Sequence, residues 1–555
     1  MSQISIDLNV EVPMRDGTIL RADVYRPAAP GSYPVLIQRT PYDRTGSLNV
    51  LTFDALAAVK RNYIVVQQDT RGRFGSEGEW LPWAYEQQDG YDTVVWASRL
   101  PGSNGKVGMF GGSYTGQTQW ATALTKPPGL AAIAPQITWS DPADGLMFRG
   151  GAVELGLNGW WTLLQNLSQL PKVIAEPGDL LAALGTTVHD FDSLPTEGYW
   201  GLPAGQLPAL TRAGLPDIGV QRGLQDPETT EECRVAGHHD QVSVPSLNIG
   251  GWYDVFGQGT LDNYVAMQER GVPTRLVVGP WTHVSFFNFG QIGDRNFGML
   301  SAVAPGAATM TDFQLDWFEH YLRDGSDTED PSAPVLIFVM GINQWREEQS
   351  WPLARAVATP LYLHDDGALS FDEPTHEQSH TEFVYDPADP APTCGGNLVM
   401  SSQFPPGPKD QAAVESRPDV LVFTTPVLTE DLEITGRVTA ELFAATDGPT
   451  TDWVVTLCDV DENGTSHNIV DGIRRVTTEP GRIDATEIDL WSTSIVIKAG
   501  HRIRVQVASS NFPRWDRNPN TDIDVDDPSK FRVAHQTIHH DAQRPSRLML
   551  PVIPK

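Results

Sequence analysis

Between residues 30 and about 140, short apolar runs alternate with turn signals and helix-length stretches. The runs at 34–37, 63–66, 107–110 and 130–134 are apolar at consecutive positions, the pattern of strands covered on both faces. Such strands, separated by helical segments, predict βαβ units and a mostly parallel sheet. From 140 to 240 the texture changes. The runs 160–164 and 179–184 sit among prolines and glycines with few β-branched residues, which predicts a helical insertion. Strand-like runs return at 244–249 and 276–278, followed by a helix over 313–322 and a strand over 335–340. In that helix Asp312, Asp316 and Glu319 are expected to face solvent.

Beyond about residue 350 the pattern changes again. Short runs at 361–363, 383–385, 420–423, 438–443, 454–457 and 503–507 are separated by Pro, Gly and Asp turns with no helical periodicity between them. This predicts an antiparallel β-sandwich, of jelly-roll type. The chain therefore reads as an α/β core over 1–140, a helical cap insertion over 141–240, the second part of the core over 241–350 and a sandwich over 351–555.

Charge narrows the function. The 555 residues include 39 basic and 70 acidic side chains, a net charge of −31. Such a field repels phosphate backbones and anionic lipid heads, so neither nucleic acid nor a membrane surface is expected as a partner. The cysteines, Cys233, Cys394 and Cys458, are dispersed and odd in number. They read as reduced thiols rather than a disulfide framework or a metal site. The first residues show neither a basic start nor a continuous apolar stretch, and no run of eighteen apolar residues occurs, so the expected location is cytoplasmic.

The strongest chemical signal is Gly111-Gly112-Ser113-Tyr114-Thr115-Gly116. A buried strand ends in small residues, a serine follows at once, and a helix-like stretch begins. This is the pattern of a nucleophile elbow, in which a tight strand-to-helix turn pushes the serine hydroxyl out of the backbone. The generic form would place glycine two residues after the serine, where Thr115 stands. A serine needs a base, and the base an orienting acid, in the chain order Ser, Asp or Glu, His for this topology. Asp254 follows the run ending Gly251-Trp252-Tyr253, and His283 follows Gly279-Pro280-Trp281-Thr282. Both stand just past the carboxyl ends of predicted strands, where open α/β sheets gather their ligands and catalytic groups.

These motifs, with Arg39-Thr40-Pro41-Tyr42-Asp43, Gln68-Asp69-Thr70-Arg71-Gly72 and Ser509-Ser510-Asn511-Phe512-Pro513-Arg514, resemble the bacterial cocaine esterase family, which includes X-Pro dipeptidyl-peptidases and α-amino-acid ester hydrolases. That family's elbow is G-x-S-Y-x-G, which accounts for Gly116 as its second glycine. The resemblance implies an α/β-hydrolase core with a helical cap and a carboxy-terminal jelly roll. It implies that Ser113 attacks a carbonyl, that His283 takes and returns the proton, and that Asp254 orients the imidazole. It further implies an oxyanion hole built from the Tyr42 hydroxyl and the amide of Tyr114. Phe256 matches a family aromatic near the acyl group. Trp160, with Trp161 beside it, looks like a cap tryptophan walling the pocket. The expected partner is a small-molecule ester or a short peptide, and a homodimer is the assembly expected, if any. No cofactor and no metal are implied, because proton transfer activates the nucleophile.

Other constellations are weaker. Asp459 to Gly464 opens like a calcium loop, but Val470 stands where a bidentate glutamate is required, so a hairpin turn is expected. The pairs His238-His239 and His539-His540 are expected in solvated loops, and residues 522–527 in an acidic surface loop. Two substrate readings remain open. A serine esterase for bulky or aromatic acyl esters needs apolar walls, whereas a peptidase or amino-ester hydrolase needs a carboxylate for a free ammonium. Asp141, Asp144 and Glu154 could supply that carboxylate, and Met400 stands where the cocaine esterase pattern carries an aromatic.

Overall fold

The computed structural model describes residues 4–50, 52–204, 207, 210, 220–285, 290–323, 334–521 and 527–555. A ten-stranded sheet forms the α/β part. Its middle seven strands are parallel and run in the spatial order Ile64–Asp69, Tyr33–Thr40, Ser103–Gly112, Leu130–Gln136, Ser246–Tyr253, Thr274–Thr282 and Val335–Val339. Antiparallel strands border it at both sides: Ile4–Pro13 and Ile19–Pro27 at one, Gln344–Glu348 at the other. Residues 35–37, 64–66 and 276–278 are almost wholly inaccessible, as expected where helices cover both faces.

The expected helix after Thr309 spans Met310–Leu322, with the Thr309 hydroxyl capping the Asp312 amide. Asp316 is exposed as expected and Asp312 and Glu319 are half-buried; Asp312 and Asp316 both pair with Arg61, at 2.7 and 2.6 Å. Between Gln136 and Ser246 the chain leaves the sheet. It forms the helices Leu155–Val173 and Pro177–Asp192 and a small hairpin at Phe148–Arg149 and Ala152–Val153.

The remaining chain is an antiparallel β-sandwich. One sheet is built around Leu432–Thr446, which pairs with Asp484–Ile497, Ala534–Asp541 and Arg547–Ile553. The other has the order Leu421–Thr424, Arg502–Ala508, Thr450–Val460, Ser466–Thr477. The calcium-like residues form the turn between the last two of these, where the Thr465 amide donates to Asp461 and the two strands pair directly. The sandwich shares one continuous core with the sheet through Trp252, Phe338 and Met340. Among the described residues no helix is long and apolar enough to cross a membrane, and no cluster of metal-ligating side chains occurs. Residues 522–526 lie outside the described residues.

Two expectations about histidine are overturned. His239 is buried and bonds Asn263 at 2.9 Å. His540 is 1% exposed and lies in a strand, between Ser379 and Thr381 at 2.8 and 2.9 Å. In each case a neutral ring, its basicity lowered by burial, meets hydroxyl or amide partners that come from distant segments.

Candidate active site

Ser113 sits between the strand Ser103–Gly112 and the helix Tyr114–Leu124 at φ 60°, ψ −124°. This is a strained conformation for a residue with a Cβ. Small neighbours make the turn possible. Gly111 has φ +128°, and a Cβ on Gly116 would lie 2.9 Å from the Gln136 carbonyl oxygen, so the helix packs against the next strand only with glycine there. The helix is then stitched down by a buried glutamine: Gln119 donates to the Gly111 carbonyl at 2.9 Å and accepts from the Ala134 amide at 3.0 Å.

Asp254 and His283 each follow the carboxyl end of a parallel strand, and the two strands are neighbours. Their approach is close, since a Cβ on Gly251 would stand 2.3 Å from the Trp281 carbonyl oxygen. His283 Nε2 lies 2.9 Å from Ser113 Oγ, and His283 Nδ1 lies 2.6 Å from Asp254 Oδ1. Asp254 is fully buried, and its other oxygen accepts from the Phe256 amide at 3.1 Å. With the ring proton on Nδ1, the imidazole donates to the carboxylate and its Nε2 is free to accept from the serine hydroxyl. A hydroxyl, an imidazole and a buried carboxylate in that row can move a proton from oxygen to nitrogen and hold the charge that results.

Tyr42 follows the parallel strand Tyr33–Thr40 and lines the same cavity as Ser113. Burial raises its pKa above the usual phenol value, so the phenol keeps its proton. The Tyr114 amide is the first N–H of its helix, where no intrahelical carbonyl can reach it. The Tyr114 side chain has a different occupation: its hydroxyl donates to Glu86 at 2.8 Å and accepts from the Trp83 amide at 2.9 Å. Glu86, whose carboxyl burial pushes up, is held in turn by the buried Arg39 at 2.6 Å.

These groups open on a cavity of about 150 Å³. Trp160, Trp161 and Phe256 line it, as the sequence suggested, and so do Trp83, Trp139, Leu146 and Val399. The Phe256 ring stands edge-on to His283 at 5.2 Å and to Trp139 at 5.1 Å. Among the described residues no Asp or Glu lines this cavity. The three acids considered for an ammonium are engaged elsewhere: Asp141 pairs with Arg234, Glu154 accepts from the Trp515 indole at 2.9 Å, and Asp144 faces a second cavity. Met400 is not at the cavity either. It packs against Gly156 beneath the cap helix, while its neighbour Val399 lines the wall.

Trp139 could have been sought by position, since it lies just past the carboxyl end of the strand Leu130–Gln136. Trp83 and Val399 carry no such mark. They arrive from a loop and from the second domain.

Comparison with known proteins agrees with this architecture. Residues 16–285 match the model of the X-Pro dipeptidyl-peptidase (S15 family), and residues 328–549 that of the X-Pro dipeptidyl-peptidase C-terminal non-catalytic domain. Cocaine esterase from a Rhodococcus strain is 36% identical, with 99% of each chain covered. Among solved structures, an aminopeptidase from a marine-sediment Thaumarchaeota archaeon superposes with a TM-score of 0.81 at 26% identity, over 100% of this chain and 97% of that one. An α-amino acid ester hydrolase superposes with a TM-score of 0.78 at 28% identity, over 99% and 97%.

Proposed function

The chain belongs to the cocaine esterase and X-Pro dipeptidyl-peptidase (S15) family of serine hydrolases, and from that premise we propose that it hydrolyses neutral carboxylic esters with a bulky or aromatic acyl group. The observation that carries this reading is the pairing of the Ser113, His283, Asp254 row with an aromatic cavity on which no described carboxylate opens. Ser113 Oγ attacks the ester carbonyl while His283 Nε2 takes its proton. The tetrahedral oxyanion is held by the Tyr42 hydroxyl and the Tyr114 amide. Collapse expels the alcohol, protonated by His283, and leaves an acyl-serine, which water cleaves by the same steps in reverse roles. Asp254 keeps the imidazole in its donating tautomer throughout.

A substrate with a free α-ammonium would have to leave water without a counter-charge, a cost of several kcal/mol. Among the described residues the aminopeptidase reading lacks the group it needs, and the apolar walls favour a neutral acyl chain.

The test is a paired assay of p-nitrophenyl butyrate and Ala-Pro-p-nitroanilide, with Ser113→Ala as control. Rapid ester cleavage, lost by about 10⁴-fold or more in Ser113→Ala, with negligible anilide cleavage, is expected. Serine-dependent anilide cleavage that N-acetylation abolishes would replace this reading with a peptidase.

A further inference from the structure

One stripe of the cap helix Leu155–Val173 is bonded to the loop that carries Tyr42. Residues 161, 165, 168 and 172 share that stripe, as helical spacing requires. Trp161 Nε1 donates to the Tyr42 hydroxyl oxygen at 3.2 Å. Gln165 Oε1 and Ser168 Oγ accept from Arg73 Nη2 at 3.1 and 2.6 Å, and Lys172 donates to the Gly72 carbonyl at 2.7 Å. Arg73 in turn donates through Nε to the carbonyl of Pro41, the residue before Tyr42, at 2.7 Å. The helix thus grips the Tyr42 loop twice, directly through Trp161 and through the buried guanidinium.

The Trp161 ring is itself fixed. It stacks on Trp83 at 5.7 Å and on Tyr114 at 6.4 Å, both within 20° of parallel, and it meets Trp80 at 5.9 Å. Trp80 covers the Arg73 guanidinium at 4.0 Å. The same indole therefore touches the tyrosine on each side of the nucleophile.

We infer that Trp161 is a positioning residue for the oxyanion hole, and that the cap helix sets the Tyr42 hydroxyl as a donor. This rests on the reading of Tyr42 as an oxyanion donor. A phenol oxygen carries one proton and can accept as well as donate. Left alone, its proton rotates among acceptors. An N–H fixed on the oxygen occupies an acceptor site and leaves the O–H to point toward Ser113 and the carbonyl it attacks. It also polarises the O–H, which strengthens its donation to a developing negative charge. The cap thereby does more than wall the cavity: the donor is complete only when the helix is seated.

The inference is tested by a cycle of Trp161→Phe, Tyr42→Phe and the double variant, with kcat and KM measured on p-nitrophenyl butyrate. Phenylalanine at 161 keeps a six-membered aromatic ring in the stack and removes the N–H donor together with the rest of the indole, so the Tyr42→Phe background separates the donor's effect from the lost ring area. Tyr42→Phe is expected to lower kcat about 10²–10³-fold. Trp161→Phe should lower kcat about three- to tenfold and leave KM within about threefold. In the Tyr42→Phe background the same change should lower kcat by less than about twofold, because no hydroxyl remains to be aimed. A loss of the same size in both backgrounds, an unchanged kcat in Trp161→Phe, or a change confined to KM overturns the inference. An unchanged kcat in Tyr42→Phe overturns the assignment of Tyr42 itself, and the inference with it. If Trp161→Phe does not fold, Ser168→Ala, which removes one acceptor of the Arg73 bridge, replaces it. A kcat loss that disappears in the Tyr42→Phe background is expected there too, and a loss independent of Tyr42 overturns the inference.

Discussion

Two cavities lie on opposite sides of the short segment Pro142–Leu146. Leu146 lines the smaller one, with the tryptophans and Ser113; Asp144 lines the larger, of about 690 Å³, with Arg149, Arg474, Glu487, Asp489 and Trp491. Two residues along one chain thus separate a wall of aromatic carbon from a polar groove at the mouth of the sandwich. A net charge of −31 therefore says little about the field at the reaction. What matters is where the acids fall, and the fold sends them to the groove. Within this segment the backbone turn gives Leu146 to the apolar cavity and Asp144 to the polar groove.

A few residues beyond that segment, Arg149 enters a buried charge cluster, and breaking it gives the largest expected effect. Asp471, in the strand Ser466–Thr477, accepts from Arg514 through both oxygens at 2.8 and 2.7 Å and lies 3.5 Å from Arg149. Both guanidiniums are buried, and Arg149 lies against the face of Trp491 at 3.7 Å. Asp471→Asn leaves two buried cations short of a counter-charge, so a loss of about 3–5 kcal/mol is expected, read from urea unfolding. A loss under about 1 kcal/mol would mean that Glu154 alone balances both arginines.

A second experiment moves a carboxylate across the partition. Leu146→Asp places an unpaired acid in the apolar cavity, where its desolvation costs about 1–3 kcal/mol and it stands close to the forming oxyanion. A fall of about 10²-fold in kcat/KM for a neutral aromatic ester is expected, with the enzyme still folded by thermal unfolding. An activity within about threefold of the parent would show that apolarity of this wall does not select the substrate.

The chain's local rules explain which parts of this were legible beforehand. The elbow could be read because a strained turn with close helix packing demands small residues side by side, and Gly111, Gly112 and Gly116 supply them in sequence. Asp254 and His283 could be read because each follows a buried strand directly. The sandwich strands were visible as short runs between turn residues. Trp83 and Val399 were not visible, since nothing near residue 83 or 399 records that the two meet on one cavity. Nor could Asp141, Asp144 and Glu154 be told apart: Arg234, the partner of Asp141, Trp515 and Arg514, the partners of Glu154, and most of the residues that line the cavity Asp144 faces lie far along the chain, and only tertiary packing assigns them. His239 and His540 were misread for the same reason, each being satisfied by a distant residue.

The smallest expected effect tests the groove side alone. Burial pushes the Asp144 carboxyl up to about 6; Arg149 and Arg437 oppose the rise, and Asp489 and Asp262 add to it. A carboxyl whose folded value is raised binds its proton more tightly in the folded chain. That contribution is fully present below about pH 4 and is lost as pH rises through 6, so at neutral pH the ionised Asp144 is a net cost. Asparagine carries no such charge. Asp144→Asn should therefore match the parent near pH 4 and gain stability between pH 4 and 6. Above that its advantage should level off at about 1–2 kcal/mol, below the full value of a shift of about two units because the side chain is partly open to water. Urea midpoints at pH 4, 6 and 8 measure this, and kcat on a neutral ester should stay within about twofold because Asp144 does not face the reacting groups. A stability difference that does not vary with pH would show that Asp144 is solvated like a surface acid, and the contrast between the two sides of the segment would then rest on Leu146 alone.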